Sequence, residues 1–147
     1  MSDRINLFRA WSKGTTYLDH DEHQNIRDLL LGRKIVKAEG EYMVLDNGTT
    51  VLLDSNEGCG GCASGSYWMV GDIAKVDNVI TAVDFEEGSR STTEGGYEEL
   101  FTVYRVFVVA EDKRFNLFTV EGDDGNGYYG SGYALHVLLG GADNAMQ

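Results

Sequence analysis

Asn47-Gly48 sits between two β-rich runs, "EYMVLD" and "TTVLLD", and no other feature restricts the fold as much. Asn-Gly readily takes the positive φ values of a two-residue type I′ turn, which closes two strands into a hairpin. The pattern pairs residues 41–46 with 49–54. From Arg33 onward the apolar period is two. "DNVITAVDFE" alternates, with Val79, Thr81, Val83 and Phe85 on one face and Asp84 and Glu86 on the other. "LFTVYRVFVVAEDKRFNLFTVEG" reads as two long strands around a solvated "EDKR" turn, and "YWMV" and "YALHVLL" read as shorter ones. The chain has 19 glycines and no proline. Its reversals therefore rest on Gly, Asn and Asp, which tolerate positive φ.

Ahead of the strands the period is helical. In "DHDEHQNIRDLLLG", Asp21 is placed to cap, Ile26, Leu29 and Leu30 recur on one face, and Gly32 ends the run. This predicts a short helix over residues 22–31. Residues 1–20, with Leu7, Phe8 and Trp11, read as an N-terminal arm. "EGSRSTTEGGY", residues 87–97, has no apolar period and reads as a mobile loop, and residues 140–147 read as a fraying tail. A length of 147 residues fits one domain, 1–147. The expected fold is mainly β. It is a single antiparallel meander of about seven to eight strands over 33–139, closing into a small barrel or strongly curved sheet. One short N-terminal helix covers an open edge or mouth.

Twenty-four acidic residues against 12 Lys and Arg give a net charge of −12. Such a chain repels phosphate backbones and anionic lipids, so direct nucleic-acid binding is not expected. The same charge fits a nucleic-acid mimic that occupies a partner's basic groove. No apolar run approaches the ~18 residues of a membrane span. "MSDRINLFRAWSKG" lacks the apolar core of a signal peptide, and two cysteines are too few for a secreted disulfide scaffold. The expectation is a cytosolic protein without membrane contact.

Two glycine-rich segments carry the chemistry-bearing residues. In "SNEGCGGCASGSYW", Cys59 and Cys62 have the spacing of a metal clamp. His20 and His23, in "HDEH", offer a matching pair, so zinc on Cys59, Cys62, His20 and His23 is one reading. Redox chemistry of the thioredoxin kind needs a helix after the first thiol and a β-α-β setting, and neither surrounds "CGGC". The third reading is a glycine-built turn with inert thiols. The second segment is "VEGDDGNGYYGSGY". Set against a calcium loop, it puts Gly122 at position one and Tyr133 at position twelve, so the EF-hand pattern fails. No G-x-x-x-x-G-K-[ST] is present for phosphate. Its Asn126, Tyr128, Tyr129 and Tyr133, with Trp68, are candidates for a ligand-binding face, because such rings combine contact area with a polar tip. No G-x-S-x-G, H-E-x-x-H or dinucleotide fingerprint occurs. His136, set among apolar residues in "YALHVLL", reads as a core or interface residue.

Together, "LLGRKIVKAEG", "LDNGTTVLLDSNEGC", "DNVITAVD" and "VEGDDGNGYYGSGY" are similar to a family of small domains of unknown function. That family is found chiefly in bacteriophage genomes, with some bacterial members. The resemblance runs from about Leu30 to Val137, and Asn126-Gly127-Tyr128-Tyr129 is its most specific piece. It implies a phage origin and assigns no activity. The combined expectation is a non-enzymatic phage accessory protein in the host cytosol, binding a host protein or a small ligand through its Cys and Tyr loops. The alternatives are a metal-centred enzyme or zinc-stabilised domain on Cys59 and Cys62, an acidic nucleic-acid mimic, and a minor virion structural protein.

Overall fold

The computed structural model describes residues 16–55, 64–93, 99–125 and 132–139. These form β1 (Thr16–Asp19), α1 (His23–Leu30), β2 (Ile35–Glu39), β3 (Tyr42–Leu45) and β4 (Thr50–Ser55). Then follow β5 (Ser64–Met69), β6 (Ile80–Thr92), β7 (Glu99–Ala110), β8 (Lys113–Gly125) and β9 (Tyr133–Leu138). The described residues are mainly β with one short helix, as the alternation predicts. The strands do not run as one meander and do not close into a barrel. They divide into two antiparallel sheets, one in the order β1-β9-β4-β3-β2 and the other β5-β8-β7-β6.

The division follows from where the apolar residues fall. Leu18, Met43, Leu45, Val51, Leu53, Leu135 and Val137 of the first sheet form one core cluster with Tyr67, Val83, Val106, Val108 and Val120 of the second. Two inner faces that bury each other satisfy both sheets at once. Each fully buried aliphatic side chain, such as Leu53 or Leu135, contributes about 1.5–3 kcal/mol. Ile26 and Leu30 of α1 join the same core. Arg27 Nε fixes the helix to β6 by donating to the Val83 carbonyl at 3.3 Å.

Local geometry departs from the sequence pattern at several points, each with a cause. The Asn47-Gly48 hairpin pairs β3 with β4, but not through a two-residue type I′ turn. Only Gly48 takes positive φ (88°), and Val44 pairs with Thr50. The Gly48 amide donates to Leu45 O, and the Thr49 amide to Asn47 Oδ1. This is a three-residue loop with a glycine bulge, in which the Asn side chain holds the turn. The type I′ pattern appears instead at the β7–β8 hairpin, where Glu111 and Asp112 both take positive φ (53° and 62°).

In β6 the register shifts between Ile80 and Ala82. The bulge turns Ile80 inward together with Val83 and leaves Val79 exposed, so the expected Val79–Phe85 face is broken at its start. Residues 87–92, expected in a mobile loop, continue β6, because each pairs with a residue of β7 (Gly88 with Val103, Thr92 with Glu99). Long-range pairing there overrides weak local propensity. Residues 16–19, expected in the arm, are a strand paired with β9. The helix starts at His23 after Glu22, and Asp21 is not its cap. Its end at Gly32 (φ 82°) is as expected.

A second bulge lies in β8, where the register shifts opposite Val106/Phe107. Asn116 Nδ2 donates to the carbonyls of Val106 and Phe118, and Asn116 Oδ1 accepts from Thr119 Oγ1. The bulge lets the consecutive residues Leu117 and Phe118 both enter the core. Further along β8, Gly122 faces Tyr67 of β5. A Cβ at Gly122 would stand 2.1 Å from Ser66 O and 2.6 Å from Tyr67 Cα, so the close approach of the two strands requires glycine. A Cβ at Gly88 would meet nothing within 4 Å. Gly122→Ala should therefore lower unfolding stability by at least about 1–3 kcal/mol. Gly88→Ala should stay within about 0.5 kcal/mol of the parent. Urea denaturation of the two variants checks this.

Candidate functional site

β1 ends with Asp19 opposite Ala134 of β9. The next residue on each strand is therefore His20 and Tyr133, which meet where β1 turns into α1. Their ring centroids lie 5.7 Å apart. Tyr104, from the facing sheet, places its ring edge-on to His20 at 4.8 Å and to Tyr133 at 6.1 Å. Gly132, at φ 71°, lies against the imidazole, and a Cβ there would be 3.0 Å from His20 Nδ1. That nitrogen is buried and has no hydrogen-bond partner among the described residues; Asp19 Oδ1 is 3.7 Å away. A buried polar atom left unpaired is uncommon and carries a free-energy cost.

The turn between β1 and α1 is clasped by one carboxylate. Glu22 accepts from the Asp19 amide (2.8 Å) and from Asn25 Nδ2 (2.8 Å). The Asp19 amide first, and then Asn25, hold the Glu22 carboxyl below its usual value. The clasp fixes His20 on one side and His23 on the other. His23 stacks face to face on Phe85 of β6, with centroids 4.0 Å apart, and the Arg27 guanidinium lies 5.0 Å from the same ring.

Between these groups opens a cleft of about 190 Å³ lined by His20, Asp21, His23, Phe85, Glu86, Glu87, Tyr104, Arg105 and Tyr133. Strand alternation sorts its charges. Phe85 and Glu87 point to the inner side of β6, and Tyr104 pairs with Glu87 on that side. Glu86 and Arg105 pair with each other on the outer side, where Arg114 binds Glu86 at 3.0 Å. Burial, and then the neighbouring Tyr104, push the Tyr133 phenol well above its ordinary value.

The residues singled out in the sequence separate into two groups and a remainder. His20, His23 and Tyr133 come together in the cleft. Trp68 does not join them. Tyr67 turns into the core, so Trp68 faces outward, 40% exposed, edge-on to Phe101 at 5.7 Å. Arg90 covers the other side of that patch, 4.8 Å from Phe101 and paired with Glu121. Cys59, Cys62, Asn126, Tyr128 and Tyr129 lie outside the described residues. Among the described residues, no three His, Cys, Asp or Glu side chains converge as a metal site. His136 is half-buried on the outer face of its sheet, with Nε2 3.0 Å from Asp54 Oδ2 and the ring edge-on to Tyr17 at 5.2 Å. Sequence reading passed over Phe85, Glu87, Tyr104 and Gly132. Glu87 carried a signal: it is an acid at the inward parity set by Val83 and Phe85.

The fold and cleft define a class, an antiparallel two-sheet domain with an aromatic and imidazole-lined cleft at one corner. The family described as Domain of unknown function (DUF7448) matches residues 28–135, and the chain belongs to it. No curated protein and no solved structure matches. The matched segment supplies Phe85, Glu87, Tyr104 and Tyr133, whereas His20, Asp21 and His23 precede it. Among the described residues no helix is long and apolar enough to cross a membrane.

The buried phenol gives the fold a pH dependence of definite sign. With a raised folded value, the unfolded chain ionises first, near the ordinary phenol pKa of ~10. The stability tied to neutral Tyr133 is complete below that pH and is lost as pH rises towards the folded value. Denaturant midpoints should fall between about pH 9 and 11, and fall less steeply in Tyr133→Phe.

Proposed function

We propose that the chain is a non-enzymatic binding protein whose working site is the cleft between the β1–α1 turn and the β6–β7 ribbon, and that its ligand is a small molecule. The observation that carries this reading is the convergence of His20 and Tyr133, far apart in sequence, on one cleft with His23, Phe85 and Tyr104. A volume of about 190 Å³ is below the ~300–1,000 Å³ of clefts that take drug-sized molecules. It suits a ligand of few heavy atoms better than a protein surface. The resemblance to phage-encoded domains supports a role as a phage accessory protein in the host cytosol.

The cysteine and tyrosine segments keep a place in this reading through their anchors. Ser55, the last residue of β4, pairs with Tyr133, and Ser64, the first of β5, pairs with Gly125. The residues that flank both segments are thus neighbours of Tyr133 on one side and of each other on the opposite sheet.

A fragment screen followed by backbone and aromatic NMR tests the site. Fragments that bind should shift the resonances of His20, His23, Glu87, Tyr104 and Tyr133 as a group. Binding confined to other surfaces, or none from a library of a few hundred fragments, overturns the proposal.

A further inference from the structure

β6 closes one side of its sheet, and we infer that its free edge pairs with the same edge of a second copy of this chain. The two β6 strands run antiparallel about a two-fold axis at Gly88 and join two four-stranded sheets into one. Such a dimer is independent of any ligand in the cleft. It is carried by an open strand edge, an unexplained glycine and a charge pattern that is complementary to itself.

The sheet order β5-β8-β7-β6 leaves β6 paired on one side alone among the described residues. Val106 of β7 turns its carbonyl towards β8, where it accepts from Asn116 Nδ2. Its pair on β6 is Phe85, so Phe85 turns its own N–H and C=O away from β7. By alternation Glu87, Ser89 and Ser91 do the same. Nearer the start of β6 the outward groups are taken. The Ile80 amide donates to Arg33 O, the Ile80 carbonyl accepts from the Gly32 amide, and the Val83 carbonyl accepts from Arg27 Nε. From Phe85 to Ser91 the outward groups have no partner among the described residues. Such a row is a template for another strand. Between Val83 and Thr92 there is no proline, lysine or bulge to block one.

Gly88 sits in the middle of this open edge. It pairs regularly with Val103, has no positive φ, and a Cβ there would meet nothing within 4 Å. A single copy therefore gives no reason for glycine. Glycine weakens a strand interior and often marks where another backbone comes close. In a pair centred on Gly88 the two glycines face each other at a non-hydrogen-bonded position, with Cα atoms about 4.5 Å apart. The outward groups of Glu87 then meet those of Ser89, and those of Phe85 meet Ser91, so the ladder is complete. The charges select the same register. Glu86 and Arg90 stand equally far from Gly88, so each Glu86 faces Arg90 of the second copy. Centring the pair on Glu87 or on Arg90 opposes like charges, which is unfavourable. Centring it on Ser89 sets Arg90 against glycine. The Gly88 register also places Ser89 and Ser91 of the second copy beside Glu87 and Phe85, two residues of the cleft wall.

Analytical ultracentrifugation of the full chain, with cysteine crosslinking, tests the pairing. The chain should sediment as a dimer as its concentration rises into the high micromolar range. Gly88→Cys should link two copies under mild oxidation, because a Cα separation of about 4.5 Å is within disulfide reach. Ser91→Cys lies about 20 Å from its counterpart in this register and should link at least about tenfold less. Peptide mass spectrometry separates these links from any made by Cys59 or Cys62. Ser89→Pro removes an amide that faces out of the single copy, which an edge strand tolerates. It should leave the far-ultraviolet circular dichroism unchanged and raise the dimer Kd at least about tenfold, through ladder bonds lost in both copies. If that variant does not fold, the contrast between Gly88→Cys and Ser91→Cys decides. A chain that stays monomeric, with no link through position 88, overturns the proposal and leaves the edge to a strand from a different partner. A dimer that links equally through Ser91→Cys, or that keeps its Kd in a folded Ser89→Pro, overturns it as well.

Discussion

The insertion of β9 between β1 and β4 is the constraint on which the rest of the structure depends. β9 is the last strand among the described residues, yet it lies inside its sheet and hydrogen-bonds on both edges. It holds β1 in place, and the pairing of Asp19 with Ala134 sets where β1 stops. From that register follow the meeting of His20 with Tyr133 and the start of α1 beside β6. A shift of one residue would turn Leu135 and Val137 out of the core, because side-chain direction alternates along a strand. The register is thus fixed by burial, and the cleft inherits its geometry from the core. The pairing also joins residues more than a hundred positions apart, so the corner is a long-range contact.

The second sheet presents the facing wall through its irregularities. Unbroken alternation would send Leu117 outward when Phe118 points in. Asn116 absorbs the extra residue by satisfying two carbonyls that the bulge frees from the ladder. Gly122 then allows β5 to close over β8, with the Tyr67 ring above the glycine. Tyr67 lies 5.9 Å from Tyr104, which in turn meets His20. A chain of packed rings therefore links the strand contact at Gly122 to the cleft.

The legible part of the fold was the part decided by local pattern. Strand-rich composition, the hairpin around Asn47-Gly48, the helix and its end at Gly32 all follow from residues within a few positions of one another. The sheet partition was not legible, because which strands become neighbours depends on long-range burial. The bulges at residues 81 and 117 were hidden for the same reason, since a bulge leaves the sequence alternation looking intact or only slightly offset. His20, His23 and Tyr133 could be singled out by residue type alone. Their convergence could not, since it depends on the β1–β9 register. The shared ligand face of Trp68 with Tyr133 fails on parity: Tyr67 is the inward residue, and one position along a strand changes the face.

Aromatic rings are covered differently on the two sides of the second sheet. On the outer side Arg114 engages Asp84 and Glu86 over the Phe107 ring, and Arg90 engages Glu121 over Phe101. Each arginine there both neutralises a carboxylate and covers an aromatic ring. On the inner side the Tyr104 and Tyr133 rings are buried against His20, Tyr67 and Phe118 instead. The same sheet thus shields its outer rings with cations and its inner rings with other rings, and the cleft opens where the inner packing ends.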